Sequence, residues 1–137
     1  MKEYRIFISH AWRYSEDYYR LVGMLDRAPY FKWRNYSVPQ HDPVIDPDTV
    51  VGKRKLIAEL RKQIQPVHIV IVLAGMYVNY REWIQKEIEI ALNYGKPIVG
   101  VKPWGQERVP QIIQEVSCEL VGWNTNSIVQ AIKRCSL

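Results

Sequence analysis

The sequence predicts an α/β domain built on an open, parallel, five-stranded sheet with helices on both faces. Three observations lead there. Short β-branched runs alternate with amphipathic stretches along the whole chain, and parallel neighbours need helical crossovers that cover both sides of a sheet. The run HIVIVL at residues 68–73 is almost wholly apolar, as a central strand buried on both faces must be. The chain has 137 residues, 47% of them hydrophobic, which suits one core and a single domain over residues 1–137.

The elements follow in order. Residues 4–9 (YRIFIS) read as the first strand. Ser15 is placed to cap the next helix, with Glu16 and Asp17 in its first turn and Tyr18, Leu21, Val22 and Leu25 on one face. Residues 34–38 form a second strand, followed by a loop punctuated by Pro39, Pro43 and Pro47. Lys53, Arg54 and Lys55 open a helix that carries Leu56, Ile57, Leu60 and Ile64 and is closed by Pro66. Cations at a helix start oppose the macrodipole and would welcome an anion, although a solvated helix start also accounts for them. The strand at residues 68–73 comes next. Asn79, with Glu82 three residues on, marks the start of the following helix. Residues 97–101 are a fourth strand, 109–115 a short helical turn, 118–121 a fifth strand and 127–134 the closing helix.

Composition excludes several classes of function. The formal charge is +5, but basic and acidic residues alternate along the helices, so neither a nucleic-acid partner nor a membrane is expected. Cys118 and Cys135 are too few and too far apart for a zinc pattern, and no secretory leader precedes them. Reduced thiols and a cytoplasmic location are the expectation. His10, His41 and His68 lack metal-ligand spacing, so no metal is expected, and His68 at a strand start is read as structural. Five Trp and nine Tyr against two Phe supply rings with polar handles, which suit half-buried groove positions.

One residue breaks the pattern. On the helix at residues 79–94, Trp83, Ile84, Ile88, Ile90, Ala91 and Leu92 form an apolar stripe, and at about 100° per residue Glu87 falls inside it. A buried carboxylate is paired or used. Either it meets a basic residue of a neighbouring element, or it serves a site.

In open parallel sheets ligands bind beyond the carboxyl ends of the strands, where residues 9–12, 39–52, 74–79 and 102–108 emerge. Glu87 lies about two turns into its helix, so it reaches that edge only if the helix leans over it. A receiver domain would need acidic residues after the first strand and a carboxylate ending the third; Ser9 with His10 and Leu73 with Ala74 stand there instead. Phosphate-cradling and dinucleotide glycine motifs are missing from the sequence. Ser9 and His10, adjacent on a strand, point to opposite faces, which argues against a nucleophile and its base. One carboxylate is too few for an ordinary O-glycoside. It suffices where the leaving group departs without protonation, as nicotinamide does from NAD+, and where the enzyme mainly stabilises the sugar cation.

EWIQKEIEIAL at residues 82–92 resembles the W-x-x-x-E helix of Toll/interleukin-1 receptor (TIR) domains, whose Glu is catalytic in members that cleave NAD+. More narrowly, FISHAW (7–12), NYSVP (35–39), GKPI (95–98) and PWG (103–105) are similar to the TIR-like proteins of bacterial Thoeris anti-phage defence. The resemblance runs from residue 4 to residue 132. It implies a flavodoxin-like (TIR-like) sheet, NAD+ as substrate with no further cofactor, and release of nicotinamide. It also implies a cyclic or conjugated ADP-ribose signal that activates a downstream effector protein, and self-assembly through TIR surfaces.

Carried over residue by residue, Glu87 is the catalytic carboxylate and Trp83 its companion one turn earlier. Ser9, His10 and the loop from Val38 line the nucleotide cleft, and Tyr77 and Asn79 join the substrate-binding set. Apart from the resemblance, charge makes Lys53 or Arg54 a candidate for the diphosphate, and ring chemistry makes Trp12 or Trp104 a candidate for stacking. Ile84 departs from the Cys frequent in TIR domains, and residues 39–52 do not match the usual receptor loop. The alternatives are a non-enzymatic TIR-like domain that binds a nucleotide or another protein to pass on a signal, and a nucleoside deoxyribosyltransferase, whose related core also carries a catalytic Glu.

Overall fold

The computed structural model describes residues 2–10, 15–37, 48–105 and 108–137. Strands β1 (Glu3–Ser9), β2 (Lys32–Asn35), β3 (Ile69–Leu73), β4 (Ile98–Val101) and β5 (Glu119–Val121) form one sheet in the order β2-β1-β3-β4-β5. Every neighbouring pair is parallel. Helices α1 (Glu16–Arg27), α2 (Val50–Ile64), α3 (Arg81–Asn93), α4 (Gln111–Val116) and α5 (Thr125–Cys135) supply the connections, with a single 3-10 turn at Ala74–Met76. This is the flavodoxin-like architecture expected from the alternation of elements.

The two-residue period of a strand divides the core into two layers. Ile6 and Ile8 of β1, with Ile69, Ile71 and Leu73 of β3, pack on Leu21 and Leu25 of α1 and on Ile128 and Ile132 of α5. Phe7, Val70 and Val72 point the other way, onto Leu60 and Ile64 of α2, Ile84 and Ile88 of α3 and Ile113 of α4. All five residues of β3 are buried, which explains its uninterrupted apolar run. Each such side chain contributes about 1.5–3 kcal/mol of burial.

Three of the five described helix starts carry a side-chain cap, and α3 and α4 start without one, at Tyr80 and Pro110. The Ser15 hydroxyl accepts the Tyr18 backbone N–H at 3.2 Å, the Thr49 hydroxyl accepts that of Gly52 at 2.9 Å, and the Asn124 side chain accepts that of Ser127 at 2.9 Å. Thr49 starts α2 at Val50, so Lys53 lies at the end of the first turn and not at its opening. Asn79 is not a cap: Tyr80 holds that position. After the 3-10 turn the Tyr80 N–H still donates to the Met76 carbonyl at 3.1 Å, and the Tyr80 carbonyl accepts the Ile84 N–H at 3.1 Å. That added turn carries the chain one residue further before α3 begins. Strand β2 also shifts, starting at Lys32 and ending at Asn35, because pairing with β1 at Glu3↔Lys32 and Ile6↔Asn35 sets its register.

The expectation of reduced thiols is corrected. Cys118 and Cys135 form a disulfide with their Cα atoms 6.3 Å apart. Helix α5 runs back along the sheet, so its last residue returns to the residue just before β5. Among the described residues no helix is long and apolar enough to cross a membrane.

At the amino edge of the sheet, His68 Nδ1 accepts the Arg5 backbone N–H at 2.9 Å and the Arg5 side-chain Nε donates to the Pro66 carbonyl at 2.7 Å. His68 is therefore structural, as expected. Burial, and then the charges of Arg5, Lys2 and Lys96, hold its pKa below the ordinary value of 6.5. Protonation would also remove the acceptor that Arg5 uses.

A group depressed in the folded state contributes stability above its unfolded pKa and loses it as the pH falls. The melting temperature should therefore drop between pH 7 and pH 5, and His68→Asn should flatten that part of the profile. In β4, a Cβ added at Gly100 would lie 2.7 Å from Leu120 Cδ2 and 2.7 Å from Ser117 Oγ. Gly100→Ala should lower stability by about 1–3 kcal/mol in urea titrations.

Candidate functional site

Strand β1 ends under α3. Ser9 shares its face with Phe7, which belongs to the α3 layer, so its side chain points toward that helix. Glu87, on the inner stripe of α3, reaches over the carboxyl end of β1 and is fully buried. The Ser9 hydroxyl donates to Glu87 Oε1 at 3.2 Å, and the His10 backbone N–H donates to Glu87 Oε2 at 3.2 Å. A strand end has N–H groups without ladder partners, and a buried carboxylate needs donors. Each satisfies the other.

The His10 ring lies beside the same carboxylate, with Nδ1 4.0 Å from Oε2. Its Nε2 is 3.1 Å from the Ser37 carbonyl oxygen. A carbonyl only accepts, so Nε2 carries a proton. The ring meets Tyr18 edge-on, centroids 5.9 Å apart. His10, Ser37 and Tyr18 are all buried, and with Asn35 they extend the polar cluster from α3 across β1 to β2 and α1. Sequence reasoning gave no role to Tyr18, Asn35 or Ser37. The available signal was the NYSVP motif, whose Asn and Ser stand where the second strand meets the binding edge.

The remaining residues are distributed as follows. Trp83 is half-buried one turn before Glu87 and packs against the apolar layer under α3. Tyr77 is buried in that layer; its hydroxyl accepts from Gln85 Nε2 at 2.8 Å, and Arg81 lies 5.5 Å from its ring centroid. Asn79 is exposed. Lys53 is tied to Glu82 at 2.8 Å, a link between the starts of α2 and α3. That hydrogen bond raises the Lys53 pKa above its ordinary value and lowers that of Glu82. Trp12 and the loop at residues 38–47 lie outside the described residues.

Trp104 is exposed but not unpartnered. Its indole is stacked on Trp123 with centroids 4.8 Å apart, and the Arg20 guanidinium lies 4.5 Å from its centroid. Its Nε1 donates to Asp17 at 3.0 Å, so the ring ties the loop after β4 to α1 while 45% of its surface stays exposed.

The sequence matches the family model described as Thoeris protein ThsB, TIR-like domain, over residues 7–108. The chain belongs to this family. The matched span runs from the last residues of β1 into the loop after β4, with Ser9, His10, Ser37 and Glu87 all inside it. Membership supports a role in anti-phage defence signalling.

No curated protein matches the sequence. Among solved structures, a 2-deoxyribosyltransferase from Bacillus psychrosaccharolyticus is similar at a TM-score of 0.63, with 12% identity over 90% of this chain and 89% of that one. FerB, a flavoenzyme NAD(P)H:(acceptor) oxidoreductase from Paracoccus denitrificans, aligns at a TM-score of 0.48 with 14% identity, covering 100% of both chains. At this identity the deoxyribosyltransferase likeness speaks for a shared fold alone.

The geometry makes the Ser9 hydroxyl part of the carboxylate's support. Ser9→Ala removes a donor from a buried charge and should cost about 1–3 kcal/mol of stability, measured by denaturant unfolding against a Glu87→Gln, Ser9→Ala double variant. Coupling in that cycle reports the bond itself.

Proposed function

We propose that the protein cleaves NAD+ at the bond between ribose C1′ and the nicotinamide nitrogen, with Glu87 as the catalytic carboxylate. The observation that carries this reading is a buried acidic side chain held by Ser9 and His10 at the carboxyl end of the central strands, where open parallel sheets bind nucleotides. Ser9 and His10 then act as supports of the carboxylate within the nucleotide cleft.

When the bond breaks, its electron pair goes to the nicotinamide nitrogen, which becomes neutral and needs no general acid. The sugar is left with oxocarbenium character. A fixed negative charge away from bulk water stabilises that cation without reorganising as the charge develops. Glu87 can also accept hydrogen bonds from ribose hydroxyls, which aligns C1′ against it. The carboxylate is fully buried, so substrate binding has to uncover one of its oxygens. Capture of the ribosyl cation by a nucleophile within the same ADP-ribose gives a cyclic product, and capture by a separate nucleophile gives a conjugate. Family membership supports a signalling use for that product, with a partner effector as its receiver.

A binding-only domain needs no buried carboxylate at this edge, and a deoxyribosyltransferase would exchange bases on 2′-deoxynucleosides. Purified protein is expected to release nicotinamide from NAD+, followed by chromatography, while Glu87→Gln lowers kcat by about 100-fold or more, the scale of losing one preorganised electrostatic group. Undiminished turnover in Glu87→Gln removes Glu87 from the mechanism. Base exchange on deoxyadenosine in place of NAD+ cleavage would move the protein to the transferase class.

A further inference from the structure

Tyr18, Asn35 and Ser37 form a closed hydrogen-bond ring whose proton directions follow from the geometry. The Ser37 backbone N–H lies 2.9 Å from Asn35 Oδ1. A backbone N–H only donates, so the atom it meets is the amide oxygen and not the amide nitrogen. Asn35 Nδ2 must then face Tyr18, where it donates to the phenolic oxygen at 3.0 Å. The Ser37 hydroxyl donates to Asn35 Oδ1, which commits its single proton. The third side, 3.3 Å between Tyr18 Oη and Ser37 Oγ, is therefore made by the Tyr18 proton. Donation runs one way around: Asn35 to Tyr18, Tyr18 to Ser37, and Ser37 back to Asn35.

The ring closes off β2 and leaves the Ser37 carbonyl aimed at His10 Nε2, 3.1 Å away. Tyr18 also presents its ring edge-on to the same imidazole. His10 in turn donates its backbone N–H to Glu87. Three side chains on α1 and at the end of β2 thus hold, through His10, a carboxylate that belongs to α3 on the opposite face of the sheet.

We propose that Tyr18, Asn35 and Ser37 are positioning residues for Glu87: their ring fixes the His10 imidazole with its proton on Nε2, and so fixes the group that holds the carboxylate. The proposal rests on the reading of Glu87 as the NAD+-cleaving residue. It assigns a use to the Asn and Ser of the NYSVP motif, and it explains why a tyrosine hydroxyl is buried on the core face of α1. The ring touches no substrate, so its loss should act on the chemical step more than on binding.

Tyr18→Phe removes the hydroxyl while keeping the buried ring, and Asn35→Ala removes two of the ring's three sides; circular dichroism shows whether each variant is folded. In the full chain, long-range 1H–15N spectra of the imidazoles should show His10 protonated on Nε2 in the wild type and a mixture of tautomers in both variants. In NAD+ cleavage, kcat should fall by about 10- to 100-fold, the scale of a small misplacement at a reacting centre, with KM little changed. A wild-type His10 proton on Nδ1, or turnover and spectra that survive both substitutions, overturns the positioning role while leaving the NAD+ reading intact. A wild-type protein that releases no nicotinamide, yet shows the fixed and variant-sensitive Nε2 proton, overturns the NAD+ reading and upholds the ring.

Discussion

A carboxylate lodged between a helix and a sheet must be supplied with donors, and in this molecule the donors are the terminal residues of β1. Ser9 offers a side-chain hydroxyl and His10 a main-chain N–H. They sit where strand pairing ends: Ser9 is opposite Val72 at the last step of the β1–β3 register, and His10 follows just beyond it. The arrangement resolves two costs at once, the desolvated charge on α3 and the unpaired amide at the strand end. It also determines how α3 must lie, since the helix has to lean over β1 for Glu87 to reach them.

The polar cluster extends this constraint across the sheet. Glu87 belongs to the layer of α2, α3 and α4, whereas Tyr18 belongs to that of α1 and α5. Hydrogen bonds through His10, Ser37 and Asn35 connect the two around the ends of β1 and β2, where the apolar layers stop. Apolar packing is tolerant of small shifts, but a chain of directed hydrogen bonds is less so. The site thus gains a defined geometry from residues that contribute little to the apolar core.

The parts of this fold that were legible in the sequence are those set by local pattern. The run at residues 68–73 could only be a central strand, and Ser15 could be recognised as a cap from the acids and apolar face that follow it. Glu87 stood out because it interrupts an apolar stripe, a one-residue signal that survives without tertiary information. Strand β2 begins two residues and ends three residues earlier than expected because Lys32, Trp33, Arg34 and Asn35 carry no alternation of apolar side chains; only pairing with β1 sets their register. Asn79 has the chemistry of a cap, yet a 3-10 turn ahead of α3 gave that position to Tyr80. The disulfide and the ring of Tyr18, Asn35 and Ser37 were invisible for a shared reason. Each joins residues from different elements, and sequence spacing carries no distance until those elements have packed.

The two outer strands have a consequence for how copies of this chain can meet. Strand β2 alternates exposed Lys32 and Arg34 with half-buried neighbours, and β5 has only three residues, with the disulfide fastened immediately before it. Short length and cationic side chains both discourage an incoming strand from adding to a sheet. Neither margin offers a template for continuing the sheet from one molecule into the next. Higher-order association of this fold would therefore run through its helices and loops, leaving the hydrogen-bonded ladder of each subunit complete in itself.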